Sequence, residues 1–389
     1  MAAVDEKVGK DEQRLAELGY RQELSRAWSG FTNFAFAWNA GGPIGISIGW
    51  PVLCGFVLLV AFSMSELTSA MPTAGGPYWW AHKLGGNAWS WFTGWFNIVG
   101  LVGIVAGVGY GAAIFLRATL GIYGVEVFGV NFADTKGSHI LHQTFVLFLI
   151  ILVLYAVVNI FADRLLGIFN NVSVGWHVAG VLVIILLLAL VPSHHQSASF
   201  VFGERFNNNG FKGGATSGPF FWLYLLPVGF ILTMYTQTGY DASAHTAEET
   251  HGAALSAAKG VWRSVFYSAI AGWAVLLALL FAATNVKKIT ALEGGSIPVI
   301  ETSLTSAAAK TVLIICTVGQ LFCGAAGLTS CSRTWYAFSR DRGIPGWWVF
   351  RRLNRRLVPL YAVLASAIAA LVITIPAYFG NKTGVPWAY

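Results

Sequence analysis

"MYTQTGYDASAHTAEET", residues 234–250, closes an apolar run without a charge and turns at once to amides, hydroxyls, a glycine and Asp241. A helix leaving a membrane reads this way, because polar residues gather where the chain meets water. A helix that breaks at membrane depth reads the same: freed backbone groups and hydroxyls line a solvated site, and the helix then resumes. Gly239 permits such a break, and residues 242–249 are good helix formers without proline. The residues alone leave both readings open.

The chain around this stretch belongs in a bilayer. Of 389 residues, 56% are hydrophobic and 11% charged, and the mean hydropathy is +0.63, far from the balance of a soluble domain. Spanning the hydrocarbon as helix takes roughly 20 apolar residues. Charge-free runs of that size recur at 44–65, 89–116, 220–240, 265–283, 311–332 and 358–379, and two more, 141–161 and 172–191, carry one histidine each. An all-α polytopic membrane protein is expected. Acidic residues stay out of these eight runs, as the cost of a buried charge requires.

The net charge of +7 is a matter of topology rather than of nucleic-acid binding. Arg333, Arg340, Arg342, Arg351, Arg352, Arg355 and Arg356 crowd the link between the last two runs with only Asp341 against them, which predicts a cytoplasmic loop. Alternation then places the loops around Lys83, Asp163 and Glu248 inside, and those around Asp134, Glu204 and Lys287 outside. Residues 1–29, of mixed charge and without a signal-peptide pattern, are expected to form a cytoplasmic tail, leaving 30–389 as the transmembrane unit. Keeping that tail inside needs one more crossing than the runs supply. The one segment left, "GFTNFAFAWNA" at 30–40, makes about 16 Å of helix, half the hydrocarbon thickness. It cannot cross alone, and the sixth helix is expected to face a gap where a full first helix would pack.

Gly103, Gly107 and Gly111 repeat at four-residue spacing, so a neighbouring backbone, a moving partner or a substrate can approach that face closely. Cys54, Cys316, Cys323 and Cys331 lie in apolar runs without metal-ligand partners and read as packing residues. No cofactor or metal is implied. An enzyme would need paired acids, a nucleophile with its base, or metal ligands at membrane depth, and none is present; His194 and His195 lie in an outer loop without a nearby acid.

Four ordered stretches, "LAELGYRQEL", "SMSELTSAMPTAGGPYWW", "TGYDASAHTAEET" and "SRTWYAFSRDRGIP", resemble the amino acid–polyamine–organocation permeases, in particular the branch with amino acid, γ-aminobutyrate and choline permeases. The resemblance runs from about residue 15 to the end. It implies a LeuT-type inverted repeat, with the first and sixth helices discontinuous and the substrate held between their broken ends. On this resemblance Tyr235 is the aromatic platform, and Thr236, Gln237, Thr238 and Gly239 present groups to the substrate. Tyr240 covers the site, and Asp241 attracts an amine, stabilises the break or caps the resumed helix. Glu248, Glu249 and His245 are expected on a solvated surface. Arg333, Arg340 and Asp341 anchor the inner end of the eighth helix or form an inner-gate ion pair.

Two departures accompany the resemblance. Phe36 and Ala37 stand where relatives carry the rest of the first helix, and helices after the ninth are lacking, so a transport-incompetent fragment is one reading of this chain. "NNVSVGWHV", 170–178, matches a stretch where some relatives place an intramembrane lysine linked to coupling, and His177 takes that place. It is either a proton-coupling group or a core histidine. The expected partners are an amino acid or related amine, a proton or sodium ion, and the lipid of the plasma membrane. Choline would call for an aromatic cage.

Overall fold

A long uncharged run in hydrocarbon has one backbone solution of its own, the helix, which pairs its N–H and C=O groups within the segment. The computed structural model describes residues 29–380 except 135–136, 162, 248–251, 293–294 and 356; the expected tail, save Ser29, and Glu248 and Glu249 lie outside them. A short α1 (Ser29–Asn39) is followed by α2 (Pro43–Ala70), α3 (Asn87–Ile122), α4 (Gly137–Phe161), α5 (Asp163–Leu190), α6 (Gly218–Thr236), α7 (Ala253–Ala282), α8 (Ser306–Arg340) and α9 (Leu360–Tyr378). Among the described residues, eight of these are long and apolar enough to cross a membrane. A hairpin of Glu126–Val127 with Val130–Asn131 is the one sheet described.

The eleven residues of α1 span about 16 Å. Gly41 and Gly42, at φ 112° and 78°, turn the chain out of it, a conformation that costs glycine little, and Pro43 restarts helix at its first position. Its end is fastened to the loop before α6: the Gly41 N–H donates to the Phe206 carbonyl at 3.0 Å, and the Asn208 N–H to that of Asn39 at 3.0 Å. Phe34, Ala37 and Trp38 are buried. The gap expected beside the sixth helix is filled at this level, because α1 packs directly on residues 226–236. Gly229 allows it: a Cβ there would run into the Ala40 carbonyl.

Packing divides into two main cores. One joins α1, α2, α7 and the first part of α8 through Phe34, Trp50, Leu279 and Leu313. The other joins α3, α4, α9 and the later part of α8 through Val105, Phe148, Leu328 and Val363. The α3 and α8 helices form the most extensive pair. Tyr155 of α4 wedges against Gly324 of α8 and donates from its hydroxyl to the Gln320 carbonyl at 3.2 Å. Described contacts join loops that alternation groups together. The short surface helix Pro77–Gly85 meets the arginine-bearing link through Tyr78, whose hydroxyl donates to Asp341 at 2.9 Å. At the opposite end the Trp38 indole donates to Thr290 at 3.1 Å.

Since Tyr155 is buried and ring atoms occupy the space at Gly324, Gly324→Val should overpack this junction and destabilise the protein by about 1–3 kcal/mol. Thermal unfolding of the purified protein in detergent would read this as a clear drop in Tm, while Gly100→Ala, which meets open space, should leave Tm nearly unchanged.

Candidate substrate site at the broken sixth helix

The sixth helix is irregular before it breaks. Pro227 has no N–H for the Leu223 carbonyl, and residues 221–225 widen to a π turn just ahead of it. Regular helix runs over Ile231–Thr236. The Gln237 N–H still reaches the Thr233 carbonyl at 2.9 Å, and the Thr238 N–H closes a tighter turn on Tyr235 at 3.2 Å. Gly239 then takes φ 72°, and one helical turn resumes at Ala242–His245. The break expected between 235 and 241 is therefore present, with helix on both sides.

Three elements surround it. The α3 face bearing Asn97, Ile104 and Gly107 lies along the break: the Asn97 amide donates to Asp241 Oδ2 at 3.2 Å, Ile104 packs at Gly239, and the Tyr235 hydroxyl rests where a Cβ on Gly107 would be. From α2, Cys54 meets the Gln237 side chain, with Nε2 and Sγ 3.6 Å apart. From the loop at 71–76, the Ala74 carbonyl faces His245. The glycine repeat thus has a specific use at Gly107, while nothing lies within 4 Å of a Cβ at Gly100 or Gly103.

The seven expected residues do not all point one way. Tyr235 reaches α3. The Thr236 hydroxyl donates to its own helix at Leu232, 2.7 Å, and that of Thr238 to the Tyr235 carbonyl, 2.6 Å. Gln237 is buried and its Oε1 has no hydrogen-bond partner among the described residues. Tyr240 packs against the cluster of Ala61, Val261 and Val265 between α2 and α7, which holds it on a different side of the break from Tyr235. Asp241 occupies the N-cap position but makes no side-chain cap; its carboxylate is turned toward Asn97 and His245 instead. His245, expected on a solvated surface, is buried, because the loop at 71–76 covers it.

The remaining candidates lie apart from the break. His177 is buried on α5, with Nδ1 donating to the Ser173 carbonyl at 2.6 Å and Nε2 3.6 Å from Cys323 Sγ on α8. It is thus set against the eighth helix. Arg340 and Asp341 form an ion pair at 3.6 Å. Tyr78 joins Asp341 to the Pro77–Gly85 helix. Arg333 Nη1 donates to Ser332 Oγ at 3.4 Å. Two of the cysteines assigned to packing also meet polar groups, Cys54 at Gln237 and Cys323 at His177.

A cavity of about 700 Å³ opens at the opposite end between α3, α4 and the Ser296–Ser303 helix, lined by Arg117, Asp134, Thr144 and Glu301 among others, and it contains none of the break residues. Desolvation raises the Glu301 carboxyl above the ordinary range, with Lys288 and Arg117 pulling it back. Among the described residues, no three His, Cys, Asp or Glu side chains gather as metal ligands.

A discontinuous helix inside a bundle of apolar helices, with polar groups turned to the discontinuity, is the arrangement of a membrane carrier. Residues 25–384 match the family described as amino acid permease. The chain is 33% identical over 396 residues to "Amino-acid permease BAT1" of Arabidopsis thaliana, covering 93% of this chain and 74% of that protein. To the "Amino-acid permease BAT1 homolog" of Oryza sativa subsp. japonica it is 31% identical over 394 residues, with the same shares. The "GABA-specific permease" of Saccharomyces cerevisiae is 27% identical over 395 residues, covering 93% and 66%. The chain belongs to the amino acid permease family.

Left-handed backbone at Gly239 should be costly for a branched residue. Gly239→Val is expected to destabilise the protein by about 1–2 kcal/mol, and Gly239→Asn, which tolerates this region, by less. Equal loss of Tm for both variants would show that the side-chain space, not the backbone, sets the requirement.

Proposed function

We propose that the protein is a secondary active permease that carries an amino acid or related amine across the plasma membrane, with the arginine-bearing end and the amino terminus in the cytoplasm. The observation that carries this reading is the break at 237–241 within a chain of the amino acid permease family. Substrate binds at Tyr235–Asp241. Gln237 Oε1, buried without a partner among the described residues, accepts from the substrate amine, and Tyr235 supports its apolar part against α3.

The coupling ion is a proton, and His177 carries it. The support is its burial on α5 against α8, next to Cys323, together with the lack of an acidic side chain within the apolar runs. Neutral imidazole donates through one nitrogen and accepts through the other, whereas imidazolium donates through both. Loading from an acidic exterior would change what the ring asks of Ser173 and α8, and release inside would reverse it. Arg333, Arg340 and Asp341 anchor the cytoplasmic end of α8.

Reconstituted vesicles, acidic outside, should accumulate a labelled neutral amino acid or γ-aminobutyrate, with choline as the competing organocation. Accumulation should collapse with a protonophore; uptake indifferent to it excludes proton coupling, and no uptake of any of these overturns the permease reading. His177→Gln should abolish gradient-driven uptake and leave exchange partly intact; gradient-driven uptake unchanged in this variant makes His177 a core histidine. Gln237→Leu, which removes the acceptor, should raise KM roughly tenfold, from a lost hydrogen bond of about 1–2 kcal/mol.

A further inference from the structure

His245 is the last residue of the single helical turn after the break, and its side chain has no solvent exposure. Its Nδ1 lies 3.3 Å from the carbonyl oxygen of Ala74, and its Nε2 lies 3.1 Å from Oδ2 of Asp241. Both neighbours are acceptors: a carbonyl has no proton to give, and an ionised carboxylate has none either. A neutral imidazole carries one N–H, so one nitrogen lone pair would be turned against an oxygen; an imidazolium donates to both. The enclosure is therefore complementary to the doubly protonated ring, whose charge is balanced by the carboxylate beside it. Asp241 Oδ2 is further fixed by the Asn97 amide of α3 at 3.2 Å. Gly76, at φ 45°, supplies the left-handed turn that lays the loop against the ring.

We propose that His245 and Asp241 form a proton-binding site that latches the loop at 71–76 onto the broken sixth helix, and that loss of the proton frees the loop. The proton leaves a ring nitrogen for water on the arginine-bearing side; neutral imidazole and carboxylate stay behind, and no electrons move. Protonated, the ring holds Ala74 and Asp241 at once; deprotonated, it can hold only one. Protection is thus present at low pH and lost as pH rises through the titration of the ring. By linkage, whatever opens this end must lower the affinity for the proton, so a permease would shed it on opening to that side. That consequence rests on the carrier reading; the site itself does not.

Other titratable or charged groups on the elements around it are few. The loop at 71–76 has none, and the Pro77–Gly85 helix has Tyr78, engaged with Asp341, His82 and Lys83. The α7 helix carries Lys259, Arg263 and Tyr267, with Arg263 over Trp262, and α8 carries Lys310 in its first turns and Arg333, Tyr336 and Arg340 in its last. The part of α3 that reaches Asp241 presents Asn97. Glu248, Glu249 and His251 follow in sequence, outside the described residues.

Hydrogen–deuterium exchange of the whole chain in lipid nanodiscs, at about pH 5.5 and about pH 8 on either side of imidazole titration and corrected for intrinsic rates, tests this without any transport. In the wild type, protection of peptides covering 71–78 and 240–246 should fall roughly tenfold at the higher pH. In His245→Gln it should be low and the same at both. Should that variant not fold, Asp241→Asn, which keeps size and one acceptor oxygen, carries the same expectation. Wild-type protection that ignores pH, or a pH dependence that survives either substitution, overturns the proposal and leaves the transport reading untouched.

Discussion

A helix in hydrocarbon cannot stop without finding new partners for its backbone, and that constraint governs the broken sixth helix. At residues 237–241 the chain abandons its regular ladder within a bundle of apolar helices. The neighbours respond to this one event. Asn97 from α3 reaches Asp241, and Cys54 from α2 meets Gln237. The loop at 71–76 closes over His245. Tyr235 and Tyr240 leave the break toward different helices, one to Gly107 and the other into the apolar cluster between α2 and α7.

Two junctions of the protein are held by different chemistry. At the arginine-bearing end the contacts are charged or ionisable: Asp341 with Tyr78, Asp241 with His245, and Arg342 and Arg351 over the Trp347 ring. At the other end, α1 and the loop before α6 meet through backbone hydrogen bonds and buried aromatics, with Trp38 edge-on to Phe206 at 5.0 Å between ring centroids.

Helices were legible in the sequence because length and charge exclusion are set by the bilayer, not by tertiary detail. The eight apolar runs and the shortness of α1 follow from residues read one segment at a time, whereas at Gly239 the residues leave a break and a plain exit from the membrane both open, and the family resemblance decides between them. What could not be read is what depends on a neighbour. His245 looks like a surface residue beside Glu248 and Glu249, and only the approach of a glycine-bearing loop buries it. Asp241 stands in cap position, yet Asn97 and His245 compete for its carboxylate. The closing of the space beside α6 rests on Gly229 meeting the Ala40 carbonyl, a pairing between positions far apart in the chain. One signal was available: Asn97 is an amide inside an apolar run, and a count of charges passes over it.

The bare face of α3 has a mechanical consequence. Packed helices ordinarily lock because the side-chain ridges of one settle into the grooves of the other, so sliding means climbing out of each groove. At Gly107 that ridge is missing and the Tyr235 ring bears on backbone, while Ile104 on the same face packs at Gly239. Resistance to sliding is thus low under the Tyr235 ring and concentrated at Ile104 and at the Asn97 amide.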